Sequence, residues 1–372
     1  MNAPAQSQTR RPSYQRQPAT AASGRVNWAD CAKGLSIIGV CLMHVVTGAP
    51  GGTDTAWGPI SSFLDPLRMP LFFLVSGLFA HRVITRNLED LWYRRLWFLL
   101  VPYLIFTPFQ AASRFYIYDE LTWQNVVRAV IVGDPGLWFL YTLMVYNIAA
   151  VVLRRQPPWL AVTLSFVPAL VAAMSGLMVH QSVHQAFMYG PIFFIGLHYR
   201  WVFFQLARRA FHLPTIAWAL LLFAGWEAVY RGMQAFYFDG WDEAVAGHQA
   251  VLALVRTVTA APMGVIIAVW LSRIPVVEKM IGFVGRHTLP VYVSHHATLT
   301  FFDFYVYPRL WESHPAWRHL IDDPNTRIIW GLLICIAVGG LFYGISKIPV
   351  LKWCLYPPPL RRRTATPATA TV

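Results

Sequence analysis

Charge is scarce in this sequence: of 372 residues only 13% are Asp, Glu, Lys or Arg, while 56% are hydrophobic and 15% aromatic. A mean hydropathy of +0.45 excludes an ordinary soluble domain, whose surface needs more polar cover than this chain holds. Alternation of period two is also absent, which excludes a transmembrane β-barrel. The apolar runs instead reach roughly 17 to 22 residues, the length that crosses about 30 Å of hydrocarbon as a helix. Cysteine is limited to Cys31, Cys41, Cys335 and Cys354, with no Cys-x-x-Cys spacing. Neither a disulfide framework nor a zinc site is expected, and no metal is assigned. No internal repeat is visible, and the segments between apolar runs are too short to fold alone.

What is present reads as an all-α, polytopic membrane bundle of about ten transmembrane helices. They are expected at roughly 31–49, 66–83, 96–112, 136–153, 159–179, 186–199, 214–231, 250–271, 281–305 and 327–346. The second carries Arg68 and Pro70, and the sixth carries Gly190-Pro191. Residues 1–27, rich in Pro, Gln, Ser, Ala and Arg, read as a disordered cytoplasmic tail; 28–350 form the membrane domain; 351–372 form a basic, Pro/Thr/Ala-rich cytoplasmic tail. A cleaved signal peptide fits less well. The first apolar run ends in the small residues Thr47, Gly48 and Ala49, but Lys33 and His44 interrupt it and Pro50 follows at once.

The net charge of +13 would suggest nucleic acid in a soluble protein; here it has a topological explanation, and no nucleic-acid partner is expected. With the N-terminal tail in the cytoplasm, 22 of the 30 Lys and Arg fall on the inner side. Only Arg68, Arg114, Arg128, Arg231, Arg256, Arg309, Arg318 and Arg327 fall on the outer side. The acids lean the other way, with Asp30, Glu89, Asp90 and Glu278 alone inside. The positive-inside rule then places both termini in the cytoplasm. The longest outer segments, about 113–135, 232–249 and 308–326, are rich in Trp, Tyr and Asp. Such side chains suit sugars, because CH faces stack on rings and hydroxyls donate to carboxylates; they equally mark membrane interfaces.

The stretch from Arg25 to Gly48, RVNWADCAKGLSIIGVCLMHVVTG, organises the chain. Lys33 and His44 are eleven residues apart, three helical turns plus roughly 20°, so they share a face about 16 Å apart. A basic group stands at one end of that face and an imidazole inside hydrocarbon at the other. Ionisable groups at membrane depth are costly and are usually kept for a pathway or a reaction. His44 is therefore the first candidate for chemistry, with a buried packing histidine as the alternative; for Lys33 the alternative is an ion pair with Asp30 one turn away.

The spacing of Lys33 and His44 within DCAKGLSIIGVCLMH resembles the integral-membrane acyltransferase 3 family. So do RMPLFFLVSGLF (Arg68 to Phe79), GLWFL (Gly136 to Leu140) and LPVYVSHHATL (Leu289 to Leu299), in that order. The chain departs from the family pattern at Leu137, where a His often stands, and no extracellular SGNH domain is expected. The resemblance implies a multi-pass enzyme of a bacterial-type inner (cell) membrane. It would take an acyl group, usually acetyl from cytoplasmic acetyl-CoA, and place it on a hydroxyl of a cell-envelope or exported saccharide or glycolipid. A polyanionic donor needs cations at the cytoplasmic mouth, which Lys33, Arg94 and Arg95 can supply; Trp138 joins them as a donor-binding residue through the GLWFL segment. His44 is the expected base, since neutral imidazole accepts a hydroxyl proton near pH 7.

Arg68 is expected to stabilise the oxyanion or position the acceptor, or instead to pair with Asp65 one turn earlier. His295 matches the family segment and either contacts substrate and orients the catalytic groups or is a satisfied core histidine. Its neighbour His296 lies about 100° around the helix, so the two are not a ready metal pair. Glu227 and Asp303 are candidate partners for His44 or Arg256. Ser76 reads as a close-packing residue, because no nucleophile elbow surrounds it. The competing class is a transporter or flippase of a polar or lipid-linked substrate, with His44, Arg68 and Glu227 along its path. Neither inverted repeats nor paired broken helices are visible, which counts against the common transporter designs.

Overall fold

A computed structural model describes residues 26–133, 136–174, 181–237, 243–314, 316 and 318–360. Among the described residues there are helices and turns and no β-strand. The principal helices are α1 (Asn27–Gly48), α2 (Trp57–Leu78), α3 (Leu88–Ile117), α4 (Trp123–Val132), α5 (Trp138–Val152) and α6 (Pro158–Met174). They continue with α7 (Gln181–His198), α8 (Arg200–Arg208), α9 (Leu213–Tyr237), α10 (Glu243–Leu271), α11 (Thr288–Phe301) and α12 (Pro324–Ile345).

A helix lies at each of the ten expected segments. Five of them, α1, α3, most of α9, most of α10 and α12, are long and apolar enough to cross a membrane. Of the two tails, only 26–27 and 351–360 lie within the described residues. Asn27 already begins α1, and Leu351–Cys354 form a short helical turn. That C-terminal segment is tied to α3 by Trp97 Nε1 donating to the Pro358 carbonyl at 2.9 Å. The four cysteines are free thiols.

Of the boundaries that differ from expectation, two have a plain physical reason. The second helix begins at Trp57 rather than near residue 66, because Ser61, Asp65 and Arg68 bond to one another and to a neighbouring helix inside the protein. The ninth segment is broken: Phe283–Arg286 ends at His287, and α11 restarts with Pro290 in its first turn, where the missing N–H has no helical acceptor to lose. Beyond Phe301 the helix widens by one turn at Phe302–Val306 before continuing to Ser313. Local chemistry fixes other ends. Thr122 Oγ1 accepts from Asn125 N–H to start α4, Gly133 closes it with φ 86°, and Asp323 caps α12 through Thr326 N–H.

α1 is the axis of the bundle, packed on α2, α10, α11, α12 and the short helix Phe283–Arg286. α2 in turn packs along α7, where the two backbones nearly touch: a side chain at Gly77 would strike the Phe193 carbonyl, and one at Gly196 the Leu74 carbonyl. Small residues at such crossings let helices approach without a hydrophobic drive between them. The core around α1, α2, α5 and α7 is heavily aromatic, with Phe73, Phe193 and Tyr103 among its most deeply buried side chains.

Candidate active site

A cavity of about 1380 Å³ opens among the C-terminal halves of α1, α3 and α11 and the N-terminal parts of α2, α5 and α7. His44, Arg68, Trp138 and His295 all line it, as do Tyr189, Tyr292 and His296. Four of the seven expected site residues thus meet in one place, although they come from four separate helices.

The imidazoles cluster. The His44 ring lies 5.4 Å from that of His295 and 4.8 Å from that of His296, centroid to centroid. Neighbours on α11 do diverge by about 100°, yet both reach His44. Sequence reasoning set His296 aside, and its adjacency to His295 was the only signal available. Among the described residues no group of His, Cys, Asp or Glu has the arrangement of a metal site.

His295 is 2% exposed, and its Nδ1 faces two carbonyl oxygens, Val291 at 2.9 Å and Tyr292 at 3.1 Å. Carbonyls only accept, so Nδ1 carries the proton and Nε2 is left as an acceptor. That Nε2 is buried with no hydrogen-bond partner. Tyr292 locks the two distant segments together: its hydroxyl donates to the Gly136 carbonyl at 2.8 Å and accepts from Phe139 N–H at 3.1 Å. Gln110 of α3 adds a bond from Nε2 to the Val293 carbonyl at 2.9 Å. The register of α11 against α5 and α3, and with it the position of His295, is set by these bonds. Trp138 stacks on Tyr189, which stacks on Phe73, with centroids 5.9 and 5.2 Å apart, so one cavity wall is a flat aromatic surface.

Arg68 pairs with Asp65 and donates weakly to Ser61 Oγ at 3.3 Å. Asp65 is shared, because Arg256 Nη1 reaches its other oxygen at 2.7 Å. Arg256 also grips Glu227 in a two-point pair at 2.7 and 2.8 Å, and Arg231 joins Glu227 at 2.7 Å. Three helices, α2, α9 and α10, are thereby tied by one chain of alternating charges. Glu227 therefore belongs to Arg256 rather than to His44. Asp303 likewise pairs with Arg327 at 2.7 Å, although both line a small cleft that also touches His44. Gly39 of α1 gives Arg68 room: a Cβ there would lie 2.9 Å from the arginine Cγ.

Lys33, Arg94 and Arg95 do not line this cavity. Lys33 pairs with Asp30 at 3.1 Å. Arg94 and Arg95 sit in a widened turn, Trp92–Leu96, directly after the acidic Glu89 and Asp90. Arg86, in the turn between α2 and α3, is pushed below its ordinary range first by burial and then by Arg94 and Arg82, while Arg154 donates to the Arg86 carbonyl. Ser76 lies in the close-packed part of α2 beside Gly77.

Residues 26–347 match the family described as Acyltransferase domain. The chain belongs to this acyltransferase family. The match runs from the first turn of α1 to just past the end of α12 and so takes in the cavity and the basic turn alike. No curated protein and no solved structure matches the chain. The acyltransferase membership and the long apolar helices together make this a multi-pass membrane protein with acyltransferase activity.

Proposed function

We propose that this protein is a membrane O-acyltransferase that moves an acyl group, acetyl in the first instance, from cytoplasmic acyl-CoA to a hydroxyl of a cell-envelope or exported saccharide. All ten helices at the expected segments cross the inner membrane and both termini are cytoplasmic, on the asymmetry of Lys and Arg. The single observation that carries the reading is the meeting of His44, Arg68 and His295 in one cavity of a chain from the acyltransferase family.

His44 takes the hydroxyl proton as the acceptor oxygen attacks the thioester carbonyl. The carbon–oxygen ester bond forms, the carbon–sulfur bond breaks, and the proton passes from His44 to the departing thiolate. Arg68 faces the charge that develops on the carbonyl oxygen. His295, held by Val291 and Tyr292, offers Nε2 to a hydroxyl or to protonated His44. The aromatic wall of Trp138 and Tyr189 suits the flat faces of a pantetheine amide or a sugar ring. At the opposite, cytoplasmic end Arg94 and Arg95 with Arg86 form a cation cluster suited to the donor's phosphates, with Lys33 at the mouth of α1.

The test is incubation of the purified protein in lipid with acetyl-labelled acetyl-CoA and a panel of saccharides. A labelled ester that hydroxylamine releases is the expected product. Movement of intact saccharide across the bilayer, with no labelled ester formed, would replace this reading with the transporter.

A further inference from the structure

The cavity that holds the imidazole cluster is not closed sideways. Ile105 and Phe109 of α3 line it and yet are 43% and 67% exposed; across the gap, Phe301 and Phe304 line it and are 52% and 49% exposed. Side chains that face both the cavity and the outside mark an opening between α3 and the α11 side of the bundle. Two aromatic contacts frame it. Tyr118 meets Phe304 at 6.3 Å beside the C-terminal end of α3, and Phe106 meets Phe342 of α12 at 5.9 Å deeper in. Twelve residues of helix separate the two contacts on α3, about 18 Å of rise. Both α3 and α12 are long enough and apolar enough to cross a membrane, so the inner part of the window, at Ile105, Phe106 and Phe109, lies at the depth of hydrocarbon, and Tyr118 marks its outer edge. Its rim is amphipathic: Ile105, Phe109, Phe301 and Phe304 give an alkyl chain an apolar bed, while the hydroxyls of Ser113, Tyr116 and Tyr305, which also line the cavity, can meet a polar head group at the outer edge.

We infer that the acceptor is tethered to a lipid tail and reaches His44 through this lateral window, the tail lying between Phe109 and Phe301 while the polar head turns inward. The inference rests on the acyltransferase reading and narrows its acceptor to an amphiphile. His44 accepts the proton of a head-group hydroxyl, the new ester forms on that head group, and the product leaves by the same gap into the bilayer. Met43 and Met69 line the interior of the cavity, so they record what comes through.

Two measurements on the full-length protein in proteoliposomes test it. In the first, a phospholipid with a diazirine on its head group is photolysed and the adducts are mapped by mass spectrometry. Adducts at Met43 or Met69 are expected, and they should fall about tenfold in Ile105→Trp, which narrows the window, while acetyl-CoA affinity stays unchanged. In the second, a panel of hexoses is offered both as methyl and as dodecyl glycosides with labelled acetyl-CoA. The dodecyl series should show kcat/KM higher by about tenfold or more, since a few buried methylenes already give that factor. Adducts confined to residues outside the cavity, or equal kcat/KM for the two series, would overturn the lateral route and leave acyl transfer standing. Absence of labelled ester with either series would instead overturn the acyl-transfer reading, and the tethered acceptor with it.

Discussion

The ring of His44 meets the ring of His296 edge-on, centroids 4.8 Å apart and planes at 78°. Two residues 252 positions apart in sequence thus share one cavity wall, and His295 lies almost as close to His44. An imidazole so placed has neighbours that can exchange a proton with it or align it.

Replacing His44 should separate chemistry from donor binding. General-base assistance acts in the transition state and adds little to ground-state affinity. His44→Ala should lower the single-turnover rate by roughly 10²- to 10⁴-fold with acetyl-CoA affinity intact, both normalised to folded protein in lipid. A folded variant that transfers acetyl at the native rate would remove His44 from the mechanism.

Arg68 and Gly39 should behave as one unit. Arg68→Lys keeps the charge but loses the planar five-donor fork, and a role at the oxyanion implies a rate loss of roughly 10²- to 10³-fold. Gly39→Ala leaves Arg68 in place chemically but puts a methyl 2.9 Å from its Cγ. Its rate should fall in the same direction without loss of membrane insertion. Near-native turnover of Arg68→Lys would reduce Arg68 to an anchor for Asp65.

The ion chain through Glu227 predicts a stability effect rather than a catalytic one. Arg256 is 9% exposed, and Glu227→Gln strips it of a charged two-point partner. Breaking a buried pair from one side costs about 3–5 kcal/mol. Thermal unfolding in detergent should show a clear fall for Glu227→Gln, and a smaller one for Arg231→Gln, whose side chain is 56% exposed. Equal and negligible shifts would show that Asp65 alone holds Arg256.

Donor affinity should follow the basic turn. Arg94→Gln and Arg95→Gln are expected to weaken acetyl-CoA binding several-fold, most strongly at low ionic strength, where phosphate attraction is least screened, and to leave the rate of bound donor unchanged. Lys33→Ala should show the same pattern in smaller measure, because Asp30 already holds its ammonium. Titration calorimetry in nanodiscs at two salt concentrations reads both; native affinity at both concentrations in all three variants would move the phosphate site elsewhere.

The sequence by itself determined that the chain is helical and apolar, roughly where ten of its helices lie, and that His44 stands three turns from Lys33 on α1. Those facts follow from local rules: run length against hydrocarbon thickness and a period of 3.6 residues. It also pointed to the segments around Arg68, Trp138 and His295, through their resemblance to a family. Only the tertiary structure decided which charges meet. Arg256 could have paired with Glu227 or Asp303, and the packing of α10 against α2 and α9 gave it Glu227 together with Asp65, the latter across 191 residues. Asp303 went to Arg327 for the same reason. The convergence of His296 on His44, the lock of Tyr292 on Gly136 and the gap beside Phe109 depend on how far apart and at what angle whole helices sit. Side-chain spacing along one helix carries no record of that distance, because in lipid the fit of small residues such as Gly77 and Gly196 to a facing backbone sets it.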